Sequence, residues 1–403
     1  MMIALFEDEK WRKLYPLSLS HPVWDLRVGI FTIREKFELY LGEKISCLYT
    51  RKYLEKVVKE SFTDYVINDC SKDVILINSR VIPDKNVIDS ILDLERGEVI
   101  TFNGEVVACR TENPAQYYDE DGVFTGCPEV QGKEVSGIKM FTYLYQLVHL
   151  NSQELKNDFE FVEKGIVGEV MEGAHIVGKD AVVIAKGAKV HPGVVIDASD
   201  GPVFIDENAV IMPNATLIGP VYIGRKTKIK VGAKIYEGTS IGPVCKVGGE
   251  VEESIIHSYS NKQHDGFLGH AYLGQWVNLG ADTNNSDLKN NYSHVKIFID
   301  GEWVDTGEMF VGLTMGDHSK SGINTMFNTG TVVGFSSNIY GGDFPPKFVP
   351  SFAWGGPGGF TTYRFEKAVE TAKRVMARRD VDLTDAYREM MESIFTLTEG
   401  ERK

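Results

Sequence analysis

Aliphatic residues recur at every sixth position through the middle of the chain. The first set is Ile184, Val190 and Ile196; after Asp200-Gly201-Pro202 come Ile205, Ile211, Leu217, Ile223, Ile229, Ile235, Ile241 and Val247. A helical stripe recurs at three or four residues and a half-buried strand at two, so neither explains a ladder of six spaced by Gly, Ala, Pro and Asn. A solenoid does. Each hexad makes one short strand and a turn, three hexads close a triangular coil, and the aliphatic side chain points inward. Ile205, Ile223 and Ile241, eighteen residues apart, are then expected to stack on successive coils. The ladder is interrupted between Val247 and Phe267, resumes as Phe267, Leu273 and Leu279, breaks across the polar run 282–291, and returns as Phe327, Val333 and Ile339. Interruptions of a solenoid become loops on one face and commonly carry the binding surface, so ligands are expected near 248–266 and 282–294.

The flanks have other textures. Before the ladder, Thr32 and Glu35 form a capping-box pattern ahead of Ile33, Phe37 and Leu41. Residues 50–60 predict a short helix, Val74-Ile75-Leu76-Ile77 a buried strand, and 86–95 a further helix. Asn103-Gly104 between two apolar runs predicts a hairpin. A helix is expected over 140–150 and a linker over 151–163. After the ladder, Phe365, Val369, Ala372 and Met376, then Leu383, Tyr387, Met390 and Ile394, make two amphipathic stripes, expected to close the open end of the solenoid. The fold class is thus an α/β N-terminal domain over 1–155, a β-helix of hexapeptide repeats over 165–345 and a helical cap over 360–400.

Composition narrows the partners. With 403 residues the chain exceeds one ordinary compact core. Its 43 Lys and Arg against 57 Asp and Glu, a net charge of -14, argue against a general nucleic-acid or anionic-membrane binder. No apolar run spans a bilayer, and the start MMIALFEDEKW lacks the basic flank and apolar stretch of a signal peptide. The five cysteines show no paired spacing, which favours a cytoplasmic protein without a zinc site or disulfide framework.

The hexads, Leu5-Phe6-Glu7-Asp8, Trp24-Asp25-Leu26-Arg27-Val28-Gly29-Ile30 and the run GINTMFNTGTVVG at 322–334 resemble the GlmU-like proteins. These join a sugar nucleotidyltransferase domain to a left-handed β-helix acyltransferase domain, as in the bifunctional UDP-N-acetylglucosamine pyrophosphorylase / glucosamine-1-phosphate N-acetyltransferases. The resemblance implies a homotrimer that uses acetyl-CoA as co-substrate and acylates an amino-sugar phosphate or a nucleotide-linked sugar. Within it, His264 in His264-Asp265-Gly266-Phe267-Leu268-Gly269 matches the general base. A histidine suits that task because its ordinary pKa of about 6.5 lets it accept a proton near neutrality. Asn278 is implied as a substrate or cofactor contact, Lys262, Lys289 and Lys296 are the loop cations available to bind a substrate phosphate, and His257 and His270 flank the site as further candidates. Two departures concern the acceptor: Phe267 stands where the family has a Tyr, and Glu252-Glu253 fall near a usual Lys pair.

The front domain departs further. Where the resemblance expects a glycine-rich phosphate loop, the chain reads Leu5 to Ser18 with Leu14, Pro16 and Leu17 kept and the glycines gone. Side chains there crowd a phosphate, and Glu7, Asp8 and Glu9 repel it. The loop after the buried strand is Asn78-Ser79-Arg80, where the family has an Asn-Gly-Asp whose Asp holds Mg²⁺. Arg12, Lys13 and Arg27 are the candidate phosphate contacts, and Asp8 and Asp25 the candidate metal ligands. The leading expectation is a CoA-dependent acyltransferase. The alternatives are a bifunctional enzyme that also uses UTP or dTTP with Mg²⁺, and a non-catalytic scaffold that binds a sugar nucleotide.

Overall fold

The computed structural model describes residues 2–70, 73–127 and 132–402. The front domain is built on β1 (Met2–Phe6), β2 (Cys47–Leu48), β3 (Val66–Ile67), β4 (Val74–Asn78), β5 (Val99–Phe102), β6 (Glu105–Thr111) and β7 (Lys133–Glu134), in sheet order β7-β5-β6-β4-β1-β2-β3. Strands β4, β1, β2 and β3 run parallel, and β6 runs antiparallel to β4 and β5. The turn between β5 and β6 is Asn103-Gly104, both at positive φ, as a two-residue hairpin requires. Four helices flank the sheet: α1 (Ile33–Leu41), α2 (Glu55–Ser61), α3 (Lys85–Leu92) and α4 (Leu144–Phe159). Helix α1 carries the predicted box, with the Thr32 side chain accepting from Glu35 N and the Glu35 side chain accepting from Thr32 N.

Helix α4 runs on through the segment read as a linker. Asn151, Glu154 and Asp158 give that stretch its polar look, yet all three are buried. Their charge and amides are satisfied inside: the Lys36 ammonium donates to Glu154 and Asp158, and Asn151 bridges Gly29 N and the Gly238 carbonyl. Gly29 sits at φ +74°, and a Cβ there would lie 2.3 Å from an Asp158 oxygen, so the close approach requires glycine.

From Ile166 the chain winds into a left-handed β-helix whose short parallel strands stack in three faces, from Glu169–Val170 to Ala353–Gly356. The inward positions read from the hexads are buried from Ile184 to Val247. Ile205, Ile223 and Ile241 pair in register. Ile184 pairs with Ile205 at a spacing of twenty-one, because Asp200-Gly201-Pro202 widens one corner.

The stretch 248–266 is not a loop. Val251, Ile256 and Lys262 continue the ladder above Ile235, Ile241 and Val247, in a coil shortened at its corners. The next inward residue is Leu268, paired with Val251. Phe267, read as the inward residue, is half-exposed, one position out of the slot. The excursion comes later, between Leu279 and Leu313, where a hairpin of Lys296–Ile299 and Glu302–Asp305 leaves the coil and packs Val295, Ile297 and Ile299 into the front-domain core.

The C-terminal helices α5 (Phe365–Ala377) and α6 (Asp385–Leu397) form from the two predicted stripes, but they do not plug the coil. Their buried Val369, Met390, Met391 and Ile394 join the front-domain core, whereas the solenoid interior is a separate cluster. A Lys56–Glu389 ion pair of 2.7 Å and a bond of 2.6 Å from Thr384 Oγ1 to Glu60 lie on the same seam. Among the described residues no helix is long and apolar enough to cross a membrane.

The segment 20–31 is the joint between the two halves. Tyr272 Oη accepts from Arg27 N and donates to the Arg27 carbonyl, both at 2.8 Å, and Ser240 donates to the Gly29 carbonyl. His21 lies between Asp25 and Asp317, 2.9 Å from each, with its ring against His257 at 4.5 Å. Burial disfavours charge there, but Asp317 and Asp25 outweigh it and push His21 up to about 10. Against the same burial, the imidazolium holds both carboxyls below their usual value. His257 goes the other way, down to about 4, through burial and then repulsion from His21.

This predicts a pH signature. Because the His21 pKa is raised on folding, its contribution is complete below about pH 6.5 and fades as pH climbs through the folded value. The carboxylate contribution is present above about pH 4 and fades as pH falls below it. At neutral pH, His21→Ala leaves two buried carboxylates without a cation and is expected to cost about 3–5 kcal/mol in urea unfolding. The gap between the two proteins should close on the alkaline side; a gap that persists there contradicts the clamp.

Candidate functional site

His264 lies in the turn that leaves the Asn261–Lys262 strand, with its side chain exposed. It borders a surface dent of about 290 Å³ with Lys230, Val231, Gly249, Gln263 and Asp282. The turn is held from inside. Lys262 occupies the inward slot an aliphatic residue fills in other coils, is 2% exposed, and donates to the carbonyls of Gly248, His264 and Gly266 at 2.9, 3.1 and 2.6 Å. Its ammonium is committed to the backbone, so it positions the His264 turn; burial lowers its pKa to about 8.

Asn278 stands in register with Asn261 on the flat face that precedes this corner, and its Oδ1 lies 3.5 Å from Asn261 Nδ2. Arg379 from the loop after α5 donates to Asn261 Oδ1 at 3.0 Å, so the asparagine stack is tied to the C-terminal helices. His257, the other flanking candidate, is buried in the joint and donates to the Asp25 carbonyl at 2.9 Å. His270 is half-buried, at φ +45°, with Nδ1 2.9 Å from Asp287 and its ring stacked on Phe310. Its neighbour Glu252 brings a third donor, and one atom from each of Glu252, His270 and Asp287 falls within 4.8 Å of the others.

The front-domain candidates scatter. Arg12 is exposed over the Trp11 ring and borders a cavity of about 600 Å³ with Tyr15, Phe298 and Phe348. Lys13 is bound to Glu302 at 2.5 Å and lies 3.6 Å from Asp300. Arg27 is 7% exposed and its guanidinium donates to the Ile30 carbonyl, which places it inside the joint.

Asp8 and Asp25 do not fit Mg²⁺. Both Asp8 oxygens accept from the Arg80 guanidinium at 2.6–3.0 Å, and they also take Lys10 N and Asn78 Nδ2. Asp25 is spent on His21. His21, Asp25 and His257 do bring three donor atoms within 4.8 Å, but the ring nitrogens of His21 both bond carboxylates and His257 Nε2 bonds a carbonyl. Carboxylates already neutralised by a guanidinium or an imidazolium are poor ligands for a hard cation, which needs several free oxygens. His21, Asp317, Glu105 and Asp287 were not singled out in the sequence; the His21–Asp317 and Lys10–Glu105 contacts join elements far apart in the chain.

The fold and these sites define an α/β domain joined to a hexapeptide β-helix that carries an exposed histidine on a pinned turn. Residues 3–167 match the family model for sugar nucleotidyl transferases. The chain is 31% identical over 206 residues to a bifunctional sugar-1-phosphate nucleotidylyltransferase/acetyltransferase of Sulfurisphaera tokodaii, covering 49% of this chain and 43% of that protein. It is 24% identical over 265 residues to the bifunctional protein GlmU of Synechococcus elongatus, covering 60% and 54%. The chain thus spans about half the length of the curated relatives it matches. Among solved structures, an Arabidopsis UDP-N-acetylglucosamine acyltransferase is 14% identical with a TM-score of 0.29, covering 59% of this chain and 92% of that one, a score too low to carry an argument. The family-model and relative matches support a GlmU-like family for the chain.

The role of Lys262 is open to test. Lys262→Met keeps the stem and removes the donors, leaving three carbonyls short of a partner, so a loss of about 1–3 kcal/mol is expected, with faster amide exchange confined to 263–266. Because its pKa falls on folding, the unfolded chain holds more protons between about pH 8 and pH 10.4, and stability rises with pH across that window. The variant should lose that rise.

Proposed function

We propose that the chain is a CoA-dependent acyltransferase that acylates an amino-sugar phosphate or a nucleotide-linked sugar, with His264 as the general base. The observation that carries this reading is a histidine side chain open to solvent on a turn that Lys262 pins from within the coil. A base must reach its proton at about 2.6–3.2 Å in the productive pose, which favours an accessible ring on a rigid support. In the reaction, the acceptor nitrogen or oxygen attacks the thioester carbonyl as His264 takes its proton. The C–S bond then breaks, and the departing thiolate receives the proton. No metal enters these steps.

The proposed assembly is a homotrimer in the cytoplasm, with the His264 dent facing a neighbouring subunit. Val231, which borders the dent, is 58% exposed, and Ile323 is 69% exposed, so the coil surface offers apolar area for such a contact. The Sulfurisphaera tokodaii relative is a nucleotidylyltransferase as well as an acetyltransferase. Asp8 is taken up by the Arg80 guanidinium, so acyl transfer is the primary reading.

A second reading of the base has one observation in its favour. His270 has the orienting carboxylate that His264 lacks, since Asp287 at 2.9 Å holds its Nδ1 and leaves Nε2 free to accept a proton. The two are separable by acetyl-CoA turnover with amino-sugar phosphates, followed by thiol release. His264→Ala is expected to lower turnover by roughly 10²- to 10⁴-fold with fold and oligomer unchanged. Near-native turnover in His264→Ala together with its loss in His270→Ala would transfer the role to His270.

A further inference from the structure

Four of the five cysteines gather on one face of the front-domain sheet. Cys47 on β2 and Cys109 on β6 are buried there beside Ala4, Phe6, Val74 and Leu76. Cys70, just past β3, and Cys127 are half-buried and pack against the same cluster. All are free thiols, and each buried one has a half-buried partner. Cys127 Sγ lies 3.1 Å from Cys109 Sγ, and Cys47 hydrogen-bonds Cys70.

The sheet register keeps these pairs apart. Cys47 pairs with Ala4, Ala4 with Leu76 and Leu76 with Cys109, so three strand spacings of about 4.8 Å each separate the two buried cysteines. Thiolates on one tetrahedral zinc sit within about 4 Å of one another, which excludes a shared four-sulfur metal centre. A disulfide asks for less. Its sulfurs stand at about 2.05 Å, and from 3.1 Å a side-chain rotation closes the gap.

The two sulfurs of the Cys109–Cys127 pair are not equivalent. Once Cys127 ionises, the Cys109 thiol donates to it; that bond lowers the pKa of Cys127 and raises that of Cys109, and burial adds to the rise. The thiolate is the nucleophile, so the accessible sulfur is also the reactive one. Between the two cysteines, eighteen residues apart, the chain leaves β6 and returns over the sheet. There Phe124 N donates to the Glu7 carbonyl at 2.9 Å, Lys52 N donates to the Asp121 carbonyl at 2.8 Å, and Tyr118 stacks on Tyr49.

We propose that Cys109 and Cys127 are an oxidative modification site, at which a hydroperoxide closes a disulfide that staples 113–127 to β6. The Cys127 thiolate attacks the terminal peroxide oxygen, the O–O bond breaks, and the departing alkoxide takes up the proton that Cys127 released. The Cys109 sulfur then attacks the sulfenic sulfur, the S–O bond breaks, and water leaves with the Cys109 proton. Two thiols are oxidised and one peroxide is reduced; a dithiol reverses the change. The pair lies apart from His264 and does not rest on the acyl-transfer reading.

The experiment treats the reduced full-length protein with hydrogen peroxide and maps its cysteines by mass spectrometry of non-reduced digests. A Cys109–Cys127 linked peptide is expected, lost again in dithiothreitol, with the coil's buried Cys245 still a free thiol. A pair that stays reduced, a Cys127 carried to sulfinic acid, or a Cys127 joined to another cysteine overturns the proposal. Cys109→Ala should leave Cys127 as a sulfenic acid trapped by dimedone, and Cys127→Ser should leave Cys109 unlabelled; the reverse pattern overturns the assigned order. In the wild type, which needs no variant to fold, amide exchange over 113–127 should slow at least about tenfold on oxidation. Unchanged exchange overturns the staple.

Discussion

A three-sided coil has room inside for one side chain per short strand, and that limit organises the whole middle of the molecule. The backbone groups are satisfied by the coils above and below, so the interior need only exclude water, and one aliphatic residue every sixth position does so. The same limit gives Lys262 its role. An ammonium in an aliphatic slot is held by three carbonyls that the shortened corner turns inward, with Asp265, Asp282 and Glu250 favouring its charge against burial. A defect in the repeat thereby becomes a fastening for the turn that presents His264.

The front domain solves a different problem. Its strand ends gather carboxylates, which cost heavily when buried without a partner, and the buried ones are answered from within the chain: Asp8 and Glu105 by Arg80 and Lys10, and Glu7 by Arg51, while at the joint His21 answers Asp25 and the coil's Asp317. Burial raises Glu7 in spite of Arg51, whereas His21 keeps its two acids ionised. The charge that a nucleotide loop would reserve for an incoming phosphate is here used to hold the chain together.

Much of this was legible in the sequence where one residue decides one local geometry. The hexads give the coil because each inward slot is filled from a single short strand. Thr32 with Glu35 marks the start of α1, and Asn103-Gly104 marks its hairpin, because capping and positive φ are local demands. Legibility ended where polarity and burial part company. Asn151, Glu154 and Asp158 read as a linker although they form the inner face of α4, since nothing local reveals the buried Lys36 opposite. Residues 248–266 read as a loop because a coil short of residues breaks the count of six, though its strands keep their register. At the site, His264 and Lys262 were visible as a pair close in sequence. The Asp317 that anchors His21 lies 296 residues away from it, beyond any spacing argument. Arg80 was visible only as a departure from an expected acid; that it would seize Asp8 was not.

The joint at 20–31 also governs the order in which the molecule can be completed. Its contacts reach Ser240, His257, Tyr272 and Asp317, and the core it belongs to closes only with Met390, Met391 and Ile394 of the last helix. Contacts of such long sequence separation form late and slowly. The coil, by contrast, grows by neighbour contacts and can propagate as it leaves the ribosome. The segment 20–31 is therefore sealed late, and the apolar floor of the front domain stays open to other chains until α6 packs against it.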